Sequence, residues 1–279
     1  MTPLFDPFIA AMSEDSFERA RILAESGDTQ GAVHVLGRYL EAAPGDVSAH
    51  FQLAHLLLHL GDAPGAVQSF QRAIALEPEN ALMHSDLGTA LEEAGRELEA
   101  AEAYEYAARA NPPFPPAQHN LALVLCRQGR WDEAVQLLRT AIEQTPDFRA
   151  ARLQLGVALG ALGQEDAARA CFDELLARDG RDVGAHHAIA DMHMSNCRFA
   201  EAAQQLETCL ALAPEDAQTI LSLGACLQEL DRVDEALAHY RRLLSREPSR
   251  YYQVVKKLTS ASRGRFWVKS AELRRILLG

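Results

Sequence analysis

The chain has 279 residues, of which 48% are hydrophobic and 24% charged, and its formal net charge is −12 at pH 7. Residues 1–250 carry 20 arginines, no lysine and 38 acidic residues (net −18), whereas residues 251–279 carry net +6. The acidic body repels phosphates and the basic end is too short for a dedicated nucleic-acid module, so the composition excludes nucleic acid as a partner.

The N-terminal segment, residues 1–12, has no basic region and no long apolar run, which is unlike a secretory signal peptide. No stretch of the chain reaches the roughly 18 consecutive apolar residues that a membrane-spanning helix needs. The cysteines are odd in number, and none has the C-x-x-C spacing: Cys126, Cys171, Cys197, Cys209 and Cys226. This usage is typical of reduced thiols, so we expect a cytoplasmic protein.

From Ser13 onward the sequence is periodic. Prolines recur at intervals of 34 residues, with one interval of 68: Pro44, Pro78, Pro112, Pro146, Pro214 and Pro248. This period divides the chain into seven repeats: 13–46, 47–80, 81–114, 115–148, 149–182, 183–216 and 217–250. Within each repeat, apolar residues at spacings of three and four predict two amphipathic helices.

Three positions of the repeat are restricted in size. Position 20 is always alanine: Ala32, Ala66, Ala100, Ala134, Ala168, Ala202 and Ala236. Position 8 is always alanine or glycine, and we expect both small positions to let the two helix backbones approach closely. Position 15, the predicted turn, is glycine in the first five repeats and Cys197 or Asp231 in the last two. Glycine suits a helix C-terminus because it adopts positive φ without steric cost.

Repeat 4 contains the stretch LALVLCRQGRWDEAVQLLRTAIEQTPD, which resembles the tetratricopeptide repeat (TPR) family. The residues on the family's signature positions are Leu121, Ala122, Gly129, Trp131, Ala134, Leu138, Ala141 and Pro146. The resemblance covers residues 13–250. It implies an all-α fold, a right-handed superhelical solenoid of helix-turn-helix repeats whose first helices line a concave groove that binds partner proteins.

The stretch HHAIADMHMSNC, residues 186–197, has the residue types of a metal site. His186, His193 and Cys197 are spaced so that they lie on one side of a helix. However, His50 and His84 share repeat position 4 with His186, which favours a packing role, and His193 with Cys197 supplies two of the four ligands of a closed zinc site. We therefore expect no metal, no cofactor and no catalytic residue, and a metal-dependent enzyme at this cluster is a remote alternative.

The resemblance places a partner-binding groove on positions 5, 6, 9, 12 and 13 of the first helices. The candidate residues are Gln52, His55, His59, Asp86, His119, Asn120, Leu123, Arg127, Gln154, Val157, His187, Asp191 and Met194. Many of them can hydrogen-bond a peptide backbone. Relatives that grip a terminal carboxylate use Lys and Arg with Asn, and only Asn120 and Arg127 match that pattern. We expect a peptide or helix with apolar anchors, and basic residues are compatible with this groove.

The basic segment 251–279 predicts a shortened, capping helix pair. Its apolar residues would cover the end of repeat 7: Leu258, Ala261, Leu273, Ile276 and Leu277. Alternatively, Phe266 and Trp267 among Lys and Arg could dock on an anionic membrane, and we expect membrane contact nowhere else.

The sequence thus favours a non-catalytic scaffold or adaptor that binds another protein. Common phosphate-binding, zinc-protease and nucleophile-elbow motifs are not found in the sequence. The alternative is an assembly factor that self-associates as a homo-oligomer or docks on a membrane surface through residues 251–279.

Overall fold

The computed structural model describes residues 7–260 and 270–278, with side chains for 15–260 and 273–278. Within these ranges the regular elements are helices, and strands do not occur. The helices are α1 (Pro7–Glu25), α2 (Thr29–Ala42), α3 (Val47–His59), α4 (Ala63–Leu76), α5 (Ala81–Glu93), α6 (Glu97–Ala108), α7 (Pro115–Arg127), α8 (Trp131–Gln144), α9 (Arg149–Ala161), α10 (Glu165–Arg178), α11 (Val183–Ser195), α12 (Phe199–Leu212), α13 (Ala217–Glu229), α14 (Val233–Arg246), α15 (Tyr251–Ser260) and α16 (Ser270–Leu278). None of these helices, in the part of the chain described, is both long and apolar enough to cross a membrane.

Consecutive helices pack as hairpins, from α1 with α2 to α13 with α14. The turn residue between them has positive φ in all seven repeats, 74° to 88° for the five glycines, 56° for Cys197 and 62° for Asp231. The turn therefore requires the left-handed conformation even where the side chain disfavours it. The first helix starts earlier than the periodicity predicts: α1 begins at Pro7, whereas the first repeat begins at Ser13.

Acidic or amide side chains begin four of the first helices. Asp46, Asn80, Asp182 and Asp216 each accept a hydrogen bond from the backbone N–H three residues later. These bonds satisfy donors that have no partner inside the helix. The Asp182 carboxylate also accepts a hydrogen bond from Arg149, whose Nε lies 2.7 Å from Asp182 Oδ2.

In three hairpins a glycine at repeat position 8 faces an aromatic side chain at position 24, whereas repeat 2 has Ala54 and Phe70 at these positions. A Cβ built on Gly88 would lie 2.5 Å from Tyr104 Cε1, and one built on Gly156 would lie 2.4 Å from Phe172 Cε1. Gly224 faces Tyr240 in the same way. We expected position 8 to bring the two helix backbones close together. At these three glycines that expectation is corrected, because a buried aromatic ring occupies the space beside each of them.

The chain forms two compact units, Met1–Phe148 (the N-terminal unit) and Arg149–Gly279 (the C-terminal unit). The N-terminal unit is a stack of four hairpins, in which α5 contacts α7. The C-terminal unit has three hairpins followed by α15 and α16, and α9 contacts α11. In each unit the first helices of the hairpins therefore share one face. We call this the inner face and define it by repeat positions 5, 6, 9, 12 and 13.

The C-terminal helices cap the last hairpin, as predicted. Helix α15 packs on α13 and α16 packs on α14. The predicted apolar residues Leu258, Leu273 and Leu277 are buried, and Ile276 packs against the same core. Gln228 lies beneath the cap, where its Nε2 donates to the Leu258 carbonyl at 3.3 Å.

Candidate partner-binding surface

The inner face of the N-terminal unit has an open groove between α1 and α3, which we call the α1–α3 groove. It encloses about 750 Å³ and is lined by Phe17, Glu18, Ala20, Arg21, Ala24, Phe51, Gln52, His55 and Leu56. Phe51 is held by Phe70 behind it, with ring centroids 5.7 Å apart. Gln52 and His55 were predicted to contact a partner, and both are exposed at the rim. The groove therefore combines a partly exposed aromatic floor with a polar edge.

The α1 side of this groove was on the predicted face, although none of its residues is among the candidate site residues. Phe17 and Arg21 occupy positions 5 and 9 of repeat 1, the same positions as predicted residues in later repeats. Arg21 has no spare charge for a ligand, because its guanidinium pairs with both Glu18 and Glu25 at 2.6 Å.

Further along the N-terminal unit, predicted site residues contact one another or a neighbouring carboxylate. His55 Nε2 lies 3.1 Å from Asp86 Oδ2, and the His55 ring meets Phe51 edge-on at 4.6 Å. Among the other candidates, Leu123 is half-buried and His59 is exposed. In this part of the inner face, the Asp86 carboxylate thus already has a histidine partner within the protein.

Asn120 and Arg127, the two residues that match a carboxylate clamp, are both engaged. Arg127 forms an ion pair with Glu92, which also accepts a hydrogen bond from the Tyr104 hydroxyl at 2.8 Å. Asn120 Oδ1 lies 3.3 Å from His119 Nδ1. Burial lowers the pKa of His119, and the bond to Asn120 partly offsets that effect. These contacts argue against capture of a terminal carboxylate.

The inner face of the C-terminal unit has a different depression, which we call the α9–α11 cavity. It encloses about 580 Å³ and is lined by Leu153, Gln154, Gly156, Val157, Gly160, Ala161, Phe172, Gly184, His187, Ala188, Asp191, Met192, Ser195 and Asn196. Four predicted site residues therefore come together here: Gln154, Val157, His187 and Asp191. Met194 does not join them, because it packs against the apolar core of the last hairpins.

The histidine cluster is built into the fold. His186 uses both ring nitrogens, Nδ1 at 2.8 Å from Gln205 Oε1 and Nε2 at 3.2 Å from the Gly180 carbonyl. His50 and His84 make the equivalent bond to the Pro44 and Pro78 carbonyls at 2.9 and 2.8 Å. Position 4 thus ties the first helix to the turn before it, a hydrogen-bonding role rather than the packing role that we expected.

The other two members of the cluster differ in environment. His193 is buried, which lowers its pKa, whereas Cys197 is exposed in the turn. Within residues 15–260 and 273–278, no three His, Cys, Asp or Glu side chains form a group suited to hold a metal ion. Phe266 and Trp267, the predicted membrane-docking residues, lie outside the described residues, as does Ala261 of the predicted cap.

Comparison with known proteins agrees with this architecture. The tetratricopeptide repeat family model matches residues 23–85, 91–154, 125–191 and 194–258, which is well over half of the chain. No curated protein matches it. Among solved structures, a tetratricopeptide repeat protein from Parabacteroides merdae is 17% identical, with a TM-score of 0.75 over 88% of this chain and 98% of that chain.

Two further solved structures show the same fold over part of the chain. MamA is 24% identical, with a TM-score of 0.54 over 58% of this chain and 94% of its own. YrrB is 21% identical, with a TM-score of 0.54 over 68% of this chain and 96% of its own. The family match, the helix hairpins and the left-handed turn in every repeat lead to one conclusion: the chain belongs to the tetratricopeptide repeat family.

Proposed function

We propose that the protein is a non-catalytic scaffold that binds an extended or helical segment of a partner protein on its inner face. Tetratricopeptide repeat proteins are in general protein-interaction scaffolds, and membership in the family supports that broad role. The observation that carries the finer proposal is the α1–α3 groove. Its floor presents Phe17, Phe51 and Leu56 in an open depression of about 750 Å³, large enough for an apolar side chain of a partner.

Polar groups beside the groove support recognition of a peptide backbone. Gln52 and Gln154 occupy position 6 of their repeats, and neither makes a side-chain hydrogen bond to another residue of the described ranges. A carboxamide offers both a donor and an acceptor, which matches the N–H and C=O groups of an extended chain. YrrB, which shares the fold, is described as having an unusual peptide-binding site. A peptide ligand is therefore consistent with this architecture.

The ion pairs of the inner face indicate which kind of ligand it can bind. Arg21 and Arg127 are neutralised by neighbouring glutamates, so the inner face has little to offer a terminal carboxylate. Apolar contact then supplies the affinity, as at the anchor residues of other interfaces. The proposed location is the cytoplasm, because Cys197, Cys209 and Cys226 are thiols rather than members of disulfides, which is typical of a reducing compartment.

A binding experiment with two matched variants tests this proposal. A library of random peptides is passed over the immobilised full chain, and the retained fraction is compared among wild type, Gln52→Arg and Gln71→Arg. Gln52 is at the rim of the α1–α3 groove, whereas Gln71 is exposed on α4 and does not line that groove. We expect Gln52→Arg to reduce retention about tenfold, since a bulky charged side chain fills the groove, and Gln71→Arg to leave it unchanged.

Either of two results would contradict the proposal. One is retention no greater than that of an unrelated helical repeat protein, which would remove peptide binding altogether. The other is an equal loss in both variants, which would mean that the contact lies outside the groove.

A further inference from the structure

The α9–α11 cavity has room for a long side chain beside Gly160 on α9. Two glycines on α9 line it, and a Cβ on Gly160 would meet only the Ala168 Cβ, at 3.9 Å. Val157 projects beside this space with 39% of its surface exposed. The cavity thus has an apolar wall and an open mouth, which suits the aliphatic stem of a lysine or arginine.

A single carboxylate dominates the charge of this cavity. Of the lining residues, Asp191 is the only Asp, Glu, Lys or Arg. Its carboxylate accepts no hydrogen bond and forms no ion pair with any residue that the structure describes, although it is accessible to solvent. Burial by the cavity walls raises the pKa of Asp191, while His187 and Lys257 act in the opposite direction. An accessible, partly desolvated carboxylate that has neither a hydrogen bond nor an ion pair within the described residues is the complement of a cationic group.

His187 adds a second acceptor. The Thr219 hydroxyl donates its one hydrogen to Asp216 Oδ2 at 2.5 Å, so it accepts from His187 Nε2 at 2.7 Å. The hydrogen-bond network thereby assigns the Nε2–H tautomer to the neutral ring. Nδ1 is then left as an acceptor on a residue that lines the cavity. Gln154, on the opposite wall, supplies a carbonyl oxygen as well.

We infer that the α9–α11 cavity binds an arginine or lysine side chain of the partner, with its cationic head on Asp191 and its aliphatic stem against Val157. This inference rests on the proposed function and names the residue chemistry that the C-terminal unit selects. The charge complementarity is local. It therefore does not depend on the overall negative charge of the chain, which would attract any cation without selecting a position.

The test uses synthetic peptide pools that are random except at one central position, fixed as Arg, Lys, norleucine or Glu. Each pool is passed over the immobilised full chain, and the retained fraction is measured. We expect the Arg and Lys pools to be retained about tenfold more than the norleucine pool. Asp191→Asn should abolish this preference. Asp166→Asn is the matched control, since it removes the same charge from an exposed position on α10 and should keep the preference.

The outcomes separate this inference from the proposed function. Equal retention of the Arg, Lys and norleucine pools, all sensitive to Gln52→Arg, would overturn the cation site and leave peptide binding intact. A preference that survives Asp191→Asn, or that is lost equally in Asp166→Asn, would also overturn it. Retention of no pool at all would remove both proposals. The variant proteins are compared by circular dichroism, because only folded proteins enter the comparison.

Discussion

The two units are built from the same hairpin, but their inner faces differ. In the N-terminal unit the groove has an aromatic floor, and the nearby charges pair with one another, as Arg127 does with Glu92. In the C-terminal unit Gly160 opens the α9–α11 cavity, and the Asp191 carboxylate forms no ion pair with a described residue. The backbone is thus set by the small residues and turns of the repeat, while the inner-face side chains are free to specify different contacts.

The largest predicted effect concerns two glycines on α9 of the C-terminal unit, Gly156 and Gly160. Gly156→Ala should destabilise the protein by up to about 3 kcal/mol, because the added methyl overlaps the buried Phe172 ring. Gly160→Ala should instead stabilise it by up to about 1 kcal/mol, since alanine favours the helix and the site is open. Chemical unfolding followed by circular dichroism measures both.

A rescue variant tests whether the loss of stability comes from steric overlap with Phe172 or would follow any substitution on α9. Phe172→Leu in the Gly156→Ala background recreates the alanine–leucine pair of other hairpins, such as Ala122 with Leu138. It should recover part of the lost stability. Equal losses in Gly156→Ala and Gly160→Ala would contradict the size-matching argument.

The second prediction concerns the helix caps, which have different partners in the two units. The Tyr39 hydroxyl donates to Asp46 at 2.7 Å in the N-terminal unit, whereas Arg149 pairs with Asp182 in the C-terminal unit. Asp182→Ala should cost about 2 kcal/mol, roughly half for the lost cap and half for the lost charged hydrogen bonds. Thermal unfolding at neutral pH measures this loss.

The dependence on pH identifies the ionic part. The Arg149 guanidinium holds the pKa of Asp182 below its ordinary value, and burial opposes this only in part. The stabilisation is therefore complete above the unfolded pKa of about 3.9 and is lost as the pH falls through the lower folded pKa. The advantage of wild type over Asp182→Asn should shrink below pH ~4. A difference that stays constant into that range would show that the charge of Asp182 contributes nothing.

The third prediction uses the turns, which are all glycine in the N-terminal unit. Cys197 has φ of 56° in the C-terminal unit, a conformation that disfavours any residue with a Cβ. Cys197→Gly should therefore stabilise the protein by about 1 kcal/mol, after allowance for the greater freedom of glycine in the unfolded chain. The reverse change in the N-terminal unit, Gly129→Cys, should cost a similar amount. Urea unfolding midpoints compare the two, and a stabilising Gly129→Cys would contradict the argument.

The periodic features of this fold could be predicted from the sequence because each residue type was repeated. The hairpins, the turn at position 15 and the C-terminal cap follow from spacing and apolar pattern alone. The pairing of glycine at position 8 with an aromatic residue at position 24 was also visible, in Gly88 with Tyr104 and Gly156 with Phe172, but it required comparing two columns of the repeat.

Contacts between hairpins were harder to predict from the sequence. Arg127 and Glu92 belong to different repeats and to different inner-face positions, so no periodicity within a repeat pairs them. The groove boundaries were equally hidden, since a cavity depends on where side chains are small as well as on where they are polar. Sequence reasoning therefore found the face, but it did not find the separation of the candidates into the α1–α3 groove and the α9–α11 cavity.

The smallest predicted effect makes the N-terminal unit resemble the C-terminal one. Arg127→Ala should change stability by less than about 0.5 kcal/mol, because both members of its ion pair with Glu92 are partly exposed and solvent screens the pair. It should nevertheless leave a carboxylate on the inner face without its arginine. Retention of the Arg- and Lys-fixed peptide pools should then rise about twofold over wild type, since a cation in the ligand replaces Arg127. Arg139→Ala, an exposed change on α8, is the control for net charge. Equal gains in both variants would show that the overall charge of the chain, rather than the pairing state of single inner-face carboxylates, selects the ligand.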